Sequence, residues 1–361
     1  MLNTLASKLT SAAALVALTL GGSAAFGAAV TNAKIAFLMP DEASTRYELH
    51  DKPGFIAEVK KLCPTCQVLY QNANGNASRQ QQQFDSVISQ GAKAIVIDPV
   101  DSSAAASLVK QAQARGIKVI SYDRPIPGAK ADYYVSFNNE GIGKAIAASL
   151  VEHLKAMGVP TTGDGGLLVV NGSPTDAAAG LIKKGIHEGL AGSGYKILAE
   201  YGTPDWVPAK AQQWVSGQIS RFGSKIIGVV AANDGTGGAT IAAFKAAGVH
   251  PIPPVTGNDA TIAGLQLIIA GDQYNTISKP SEIEAGAAAK VAVELLSGET
   301  PKADTMLYDT PSQLFTPDVV TAKNLKAEIV DKMMGGKPIE SASVLCGGSY
   351  IAGCKKLGIT P

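Results

Sequence analysis

Short apolar runs alternate with amphipathic stretches along this chain, and several runs stop at clusters of polar residues. Period-two and continuous apolar runs predict strands over 34–39, 67–71, 94–97 and 118–122. Between them, apolar spacing of three and four predicts helices over 46–62, 78–89 and 103–115. The pattern then restarts. Helices are expected over 141–157, 177–190, 208–221, 240–247 and 261–269, with strands over 166–170, 197–200, 226–231, 255–256 and 273–277. An Ala-rich helix over 282–296 and a last helix over 324–334 follow, then an irregular tail with Gly and Cys.

Such alternation predicts an α/β fold of parallel sheets flanked by helices. Two series of similar length imply two similar lobes. Chain crossings are expected near 136–140, 279–280 and 311–317, which makes a three-segment hinge. The expected division is 30–138 with 281–313 in the first lobe, and 139–280 with 314–361 in the second. A cleft between hinged lobes is a natural ligand site.

The polar clusters fall at strand ends. The run ending at Tyr122 meets Asp123-Arg124, and the run ending at Ala232 meets Asn233-Asp234. Val255-Thr256-Gly257 meets Asn258-Asp259, and Ile277-Ser278 meets Lys279-Pro280. In open α/β sheets, ligands bind beyond the carboxyl ends of the strands. Carboxylates, amides and cations converging there suit a small polyhydroxylated molecule: Asp accepts hydrogen bonds, Arg and Lys donate, and Asn does both. Asn233-Asp234 and Asn258-Asp259 also suit helix caps, and the expectation is that Asn233 binds while Asp234 caps.

The 361 residues are 46% hydrophobic and 17% charged, with 31 basic and 30 acidic side chains. This suits two ordinary domains with real cores and offers no basic stripe for nucleic acid. At the start, Lys8 precedes an apolar stretch over 12–20 and a small-residue run ending at Ala29. Residues 1–29 therefore read as an export signal cleaved near Gly27 to Ala29, the apolar core being short of the ~20 residues a membrane span needs. In an exported chain, Cys63, Cys66, Cys346 and Cys354 read first as disulfide cysteines, and each pair is close in sequence. A redox role for Cys63-Pro64-Thr65-Cys66 is disfavoured, because the motif follows a helix instead of opening one.

The motifs resemble, in order, those of periplasmic sugar-binding proteins of ABC importers, the ribose/galactose/xylose type, and most of all the D-xylose-binding group. The likeness is carried by Gln71-Asn72-Ala73-Asn74-Gly75-Asn76, Ile120-Ser121-Tyr122-Asp123-Arg124 and Ser136-Phe137-Asn138-Asn139-Glu140. It continues through Asn171-Gly172-Ser173-Pro174-Thr175-Asp176, Ala232-Asn233-Asp234, Gly257-Asn258-Asp259-Ala260, Lys279-Pro280, Pro301–Thr305 and Leu314–Pro317. It spans nearly all of 33–335. The resemblance implies a type I periplasmic binding protein, a monomer that binds a monosaccharide and serves a membrane permease, with a chemoreceptor as a further partner. It implies sugar contacts from Arg46, Tyr47, Asp123, Arg124, Asn138, Asn233, Asp259 and Lys279, with Trp206 stacked on the ring. D-xylose leads; glucose, arabinose and inositol are the alternatives. Two departures stand out: Ala177-Ala178-Ala179 where that group carries asparagine, and Tyr47 where it uses tryptophan.

Rival functions fit less well. A dinucleotide-binding dehydrogenase needs a Gly-rich turn after the first strand, and here that strand runs into Pro40-Asp41-Glu42. The four histidines, His50, His153, His187 and His250, are scattered, and no catalytic triad or metal set is visible. Neither a cofactor nor catalysis is therefore expected. A transcription regulator with this core would begin with a helix-turn-helix, where this chain has its export signal.

Overall fold

The computed structural model describes residues 30–334 and 336–360; the expected export signal lies outside the described residues. Strands β1 (Lys34–Met39), β2 (Gln67–Asn72), β3 (Ala94–Ile97), β4 (Lys118–Tyr122) and β5 (Tyr133–Phe137) alternate with helices α1 (Lys52–Leu62), α2 (Ala77–Ser89) and α3 (Ala105–Gln113). The second series holds α4 (Asn139–Ala156), β6 (Gly166–Asn171), α5 (Ala177–Leu190), β7 (Ile197–Gly202), α6 (Pro208–Phe222), β8 (Ile226–Ala231), α7 (Asp234–Ala246), α8 (Ile262–Ala270) and β9 (Asn275–Ser278). Helix α9 (Ser281–Leu296), β10 (Thr305–Leu307), β11 (Thr310–Phe315) and β12 (Asp318–Thr321) follow.

The first sheet has the order β10-β11-β5-β4-β3-β1-β2, parallel except for β10. Both faces are covered, which is why its strands read as continuous apolar runs. Phe37 and Tyr122 pack with Phe55 and the alanines of α9 on one face, while Leu38 and Ile95 pack with Phe84 and Val109 on the other. Burying each such large side chain contributes about 1.5–3 kcal/mol. The second sheet runs β7-β6-β8, extends through a bridge from Val229 to Val255, and continues to the antiparallel pair β9 and β12. Its helices α4 and α5 pack backbone to backbone. A Cβ at Gly143 would lie 1.9 Å from the Ile182 carbonyl oxygen, so only glycine permits this approach.

Three crossings join the sheets, after β5, after β9 and between β11 and β12. Strand β11 stays in the first sheet as far as Phe315, beside Phe137. The boundary expected after residue 313 therefore falls inside a strand, and the crossing expected near 311–317 comes at its end, at Thr316-Pro317.

Other expectations also change. The helix expected over 46–62 divides into a wide turn over Tyr47–Asp51 and then α1. Pro53 lacks the N–H that would bond back to Leu49, and the Lys52 N–H reaches five residues back to Tyr47. The helix expected over 324–334 shrinks to one turn, Lys326–Val330. Met333–Met334 then pairs with Lys337–Pro338 around Gly336, whose φ of +83° suits only glycine well. Strands β5, β10, β11 and β12 had not been expected.

Cys63 is bonded to Cys66 and Cys346 to Cys354. The second bridge closes a compact tail whose Leu345, Cys346 and Ile359 pack against Ile268 and Ile269 of α8. Among the described residues, no helix is long and apolar enough to cross a membrane.

Candidate ligand-binding site

The carboxyl ends of β1, β4, β6, β8 and β9 point into one space between the two sheets. Including its mouth, this cavity holds about 480 Å³ and is lined by side chains from both lobes.

Asp123 is its centre. It sits just past β4 with φ +54°, a conformation uncommon outside glycine that points its carboxylate into the cavity. Oδ1 lies 2.9 Å from Arg46 and 3.3 Å from Lys279, and Oδ2 accepts a hydrogen bond from the Tyr47 hydroxyl at 2.9 Å. Its carbonyl oxygen accepts from the Tyr134 and Ser136 hydroxyls and from Asn139. Burial alone would raise the Asp123 carboxyl, but Arg46, Lys279, Arg124 and the Tyr47 bond outweigh it. The carboxyl is held well below its usual range, ionised at neutral pH.

Lys279 reaches the same centre from the crossing after β9, and bridges Asp123 to Asp259 at 3.1 Å. Burial lowers its affinity for a proton, yet the flanking carboxylates raise it overall, so it stays charged. Asp259 also has positive φ, +99°, held by its N–H to the Ile277 carbonyl. Arg124 is fixed by Asp41 at 2.8 Å, Asp98 at 3.4 Å and Asp176 at 3.3 Å, and donates to the Pro99 carbonyl. A guanidinium so fully engaged presents one fixed edge to a ligand.

Trp206 lies flat along the second lobe. Its indole N–H donates to Asp176 at 2.9 Å. A Cβ on Gly172 would lie 2.0 Å from its ring, so Gly172 is what lets the indole lie down. Asp205 and Trp206 both take positive φ, a strained turn held by Asp205 N–H to Ser173 Oγ and Trp206 N–H to the Thr203 carbonyl.

Of the nine side chains expected to bind, Tyr47, Asp123, Arg124, Trp206, Asn233, Asp259 and Lys279 line the cavity. Arg46 stands one layer behind Tyr47 and Asp123, where Asp51 and Glu284 also hold it at 3.1 Å. Burial pushes Asp51 up to about 6 and Glu284 up to about 8, against the pull of Arg46. Asn138 lies elsewhere. Its side chain is spent capping α4, accepting from the Gly141 N–H, and it faces an outer groove. The neighbouring Asn139, one position on, is the asparagine that turns into the site.

The roles of Asn233 and Asp234 also differ from expectation. Asn233 caps α7 through Oδ1, which accepts the Thr236 N–H at 2.8 Å, leaving its Nδ2 to the cavity. Asp234 is a buried tie instead, accepting from Thr261, Gln273 and Thr276. Burial and the nearby Asp259 push it up to about 7. The expectation had not included Asp41, Ser44, Asn139, Asp176, Ala178, Ile182 or Asn258, all of which line the cavity. Asn258 Oδ1 is buried and has no hydrogen-bond partner among the described residues.

The chemistry is that of recognition. Fixed acceptors (Asp123, Asp259, Asn258) alternate with fixed donors (Arg124, Lys279, Asn233), beside an aromatic face and the methyl groups of Ala43 and Ala178. Two hinged parallel α/β lobes around such a cavity define a cleft-type solute-binding protein. The chain belongs to the periplasmic binding protein domain family, which it matches over residues 35–300. It is 35% identical over 305 residues to the D-xylose-binding periplasmic protein of Escherichia coli K12, covering 82% of this chain and 89% of that protein. The D-xylose-binding periplasmic protein of Haemophilus influenzae is 30% identical over the same shares. Among solved structures, an ABC transporter solute-binding protein from Clostridium phytofermentans with bound β-D-glucose superposes with a TM-score of 0.77. It is 26% identical, covering 86% of this chain and 99% of that one.

Proposed function

We propose that this protein is exported to the periplasm, binds D-xylose between its lobes and hands it to the permease of an ABC importer. The observation that carries the reading is the Lys279 bridge between Asp123 and Asp259, with Arg124, Asn233 and Trp206 around the same cavity. Two relatives at 30% identity or above are D-xylose-binding proteins.

In this mechanism an open form admits the sugar, the lobes rotate about the three crossings, and closure excludes water. The indole of Trp206 covers the C–H face, while the carboxylates and cations meet the ring hydroxyls. Hydrogen bonds to charged groups contribute about 1.5–3 kcal/mol each, and an analogue without the hydroxyl leaves the charge unpaired. The ligand shifts the population because it contacts both lobes only when they are closed. The closed form is then the state that a permease, or a chemoreceptor, recognises. Residues 30–138 with 281–315 form the first lobe in this reading, and the remainder of the mature chain forms the second.

A hexose is the second reading. Ala178 puts a methyl group on the cavity wall, which leaves room for a hydroxymethyl substituent. Calorimetric titration of the mature, ligand-stripped protein with D-xylose, D-glucose, L-arabinose, D-ribose, D-galactose and myo-inositol separates them. Micromolar or tighter binding of D-xylose above the others is expected. Tighter binding of D-glucose would transfer the reading to a hexose, and no binding to any would remove simple sugars as the ligand class.

A further inference from the structure

Helices α3 and α5 begin on opposite sides of the cleft, and both leave N–H groups that no helical carbonyl can reach. In the turn that leads into α3, Asp101 Oδ1 accepts the Ser103 and Ala104 N–H groups at 2.8 and 2.9 Å. The Ser102 N–H is left over, and it donates across the cleft to the Thr175 carbonyl at 3.0 Å. In α5, Asp176 Oδ1 accepts the Ala178 N–H at 2.8 Å. The Ala177 N–H is left over, and it donates across the cleft to Ser102 Oγ at 3.0 Å. Ser102 Oγ therefore completes the start of α5, and the Thr175 carbonyl completes the turn that leads into α3.

The loop that presents Ser102 is stiff. Gln80 of α2 donates to the Asp98 carbonyl at 2.7 Å and accepts the Val100 N–H at 2.8 Å. Ser102 is buried, yet it is not among the side chains that line the sugar cavity. Facing helix starts bring two partial positive ends together, and Asp101 and Asp176 offset that repulsion. When the lobes part, both N–H groups return to water at little cost.

We propose that Ser102 clasps the two lobes in the closed form and so sets how long the ligand stays, without touching it. The proposal deepens the sugar-binding reading, and its effect on affinity rests on that reading. A net hydrogen bond predicts a loss of about 2- to 10-fold on removing the hydroxyl.

The test uses the mature chain with Ser102→Ala and Ser102→Thr. Ser102→Ala is expected to weaken D-xylose and any second sugar that binds by the same factor, with the change in the dissociation rate. Ser102→Thr, which keeps the hydroxyl, is expected to restore binding. Amide exchange at Ala177 is expected to speed up in the alanine variant. Unchanged affinity with unchanged exchange at Ala177 would overturn the clasp. Unequal factors for two sugars would overturn it too, because they require Ser102 to touch the ligand. If the wild type binds none of the sugars, the sugar reading falls, and the exchange at Ala177 still decides the clasp.

Discussion

Lys279 Nζ stands 3.3 Å from Asp123 Oδ1, joining positions 156 residues apart in the chain. The lysine comes from the second crossing and the aspartate from the end of β4, so the pair closes the hinge onto the binding cavity. Lys279→Met keeps the length and removes the charge. It is expected to weaken D-xylose by about 10- to 150-fold, the worth of one charge-assisted hydrogen bond. It is also expected to lower the melting temperature, because Asp123 and Asp259 lose a buried counter-charge. Titration with wild-type affinity would remove Lys279 from the ligand.

Gly172 tests the aromatic wall without touching its polar groups. Gly172→Ala puts a methyl group 2.0 Å from the Trp206 ring, and the ring has to move. The variant is expected to lose as much affinity as Trp206→Ala, while Trp206→Phe, which keeps one aromatic ring and gives up the second ring and the bond to Asp176, loses less. If Gly172→Ala binds like the wild type, the indole is not the stacking face.

Much of this site was legible because strand ends are where α/β sheets place ligands. That rule located Asp123, Arg124, Asn233, Asp259 and Lys279. It applies equally to Asp41 after β1 and Asp176 after β6, which the expectation had not included. Asn138 and Asn139 are one position apart and do different work, the first capping α4 and the second facing the cavity. At a helix start, one residue of shift turns a side chain from the cavity to a cap, and no periodicity fixes that boundary to one residue. Strands β5 and β11 each have a neighbour close in sequence, β4 and β10, but they also pair with each other from far along the chain, and that pairing leaves no local signal. The left-handed conformations of Asp123 and Asp259 left no sequence signal, because they are imposed by tertiary hydrogen bonds.

Ala178 tests the ligand's size. Its methyl group lines the cavity beside Ile182 at the start of α5. Ala178→Asn fills that space and adds a donor and an acceptor, so the ratio of D-xylose to D-glucose affinity is expected to rise several-fold. A ratio unchanged by the substitution would place the fifth ring carbon away from this wall.

The tail supplies a pH dependence. His50, in the wide turn before α1, meets Glu340 of the tail at 2.8 Å. The hydrogen bond to Glu340 raises the histidine's affinity for a proton. Burial opposes this, while Asp51 on its own turn and Glu282 at the start of α9 reinforce it. Lys337 of the tail is engaged by Glu282 at 3.2 Å. Because the folded value lies above the unfolded one, the contact contributes fully below the ordinary histidine value of about 6.5. The contribution is lost as the pH rises through the raised folded value. Asp51, Asp234 and Glu284, pushed up to about 6, 7 and 8, also favour the folded state at lower pH, so the total profile does not isolate His50. The difference between wild type and His50→Gln does. The wild type is expected to melt higher than the variant at about pH 5.5, with the gap narrowing steadily towards alkaline pH. Two melting curves that stay parallel across that range would show that the His50–Glu340 contact carries no proton-linked stability.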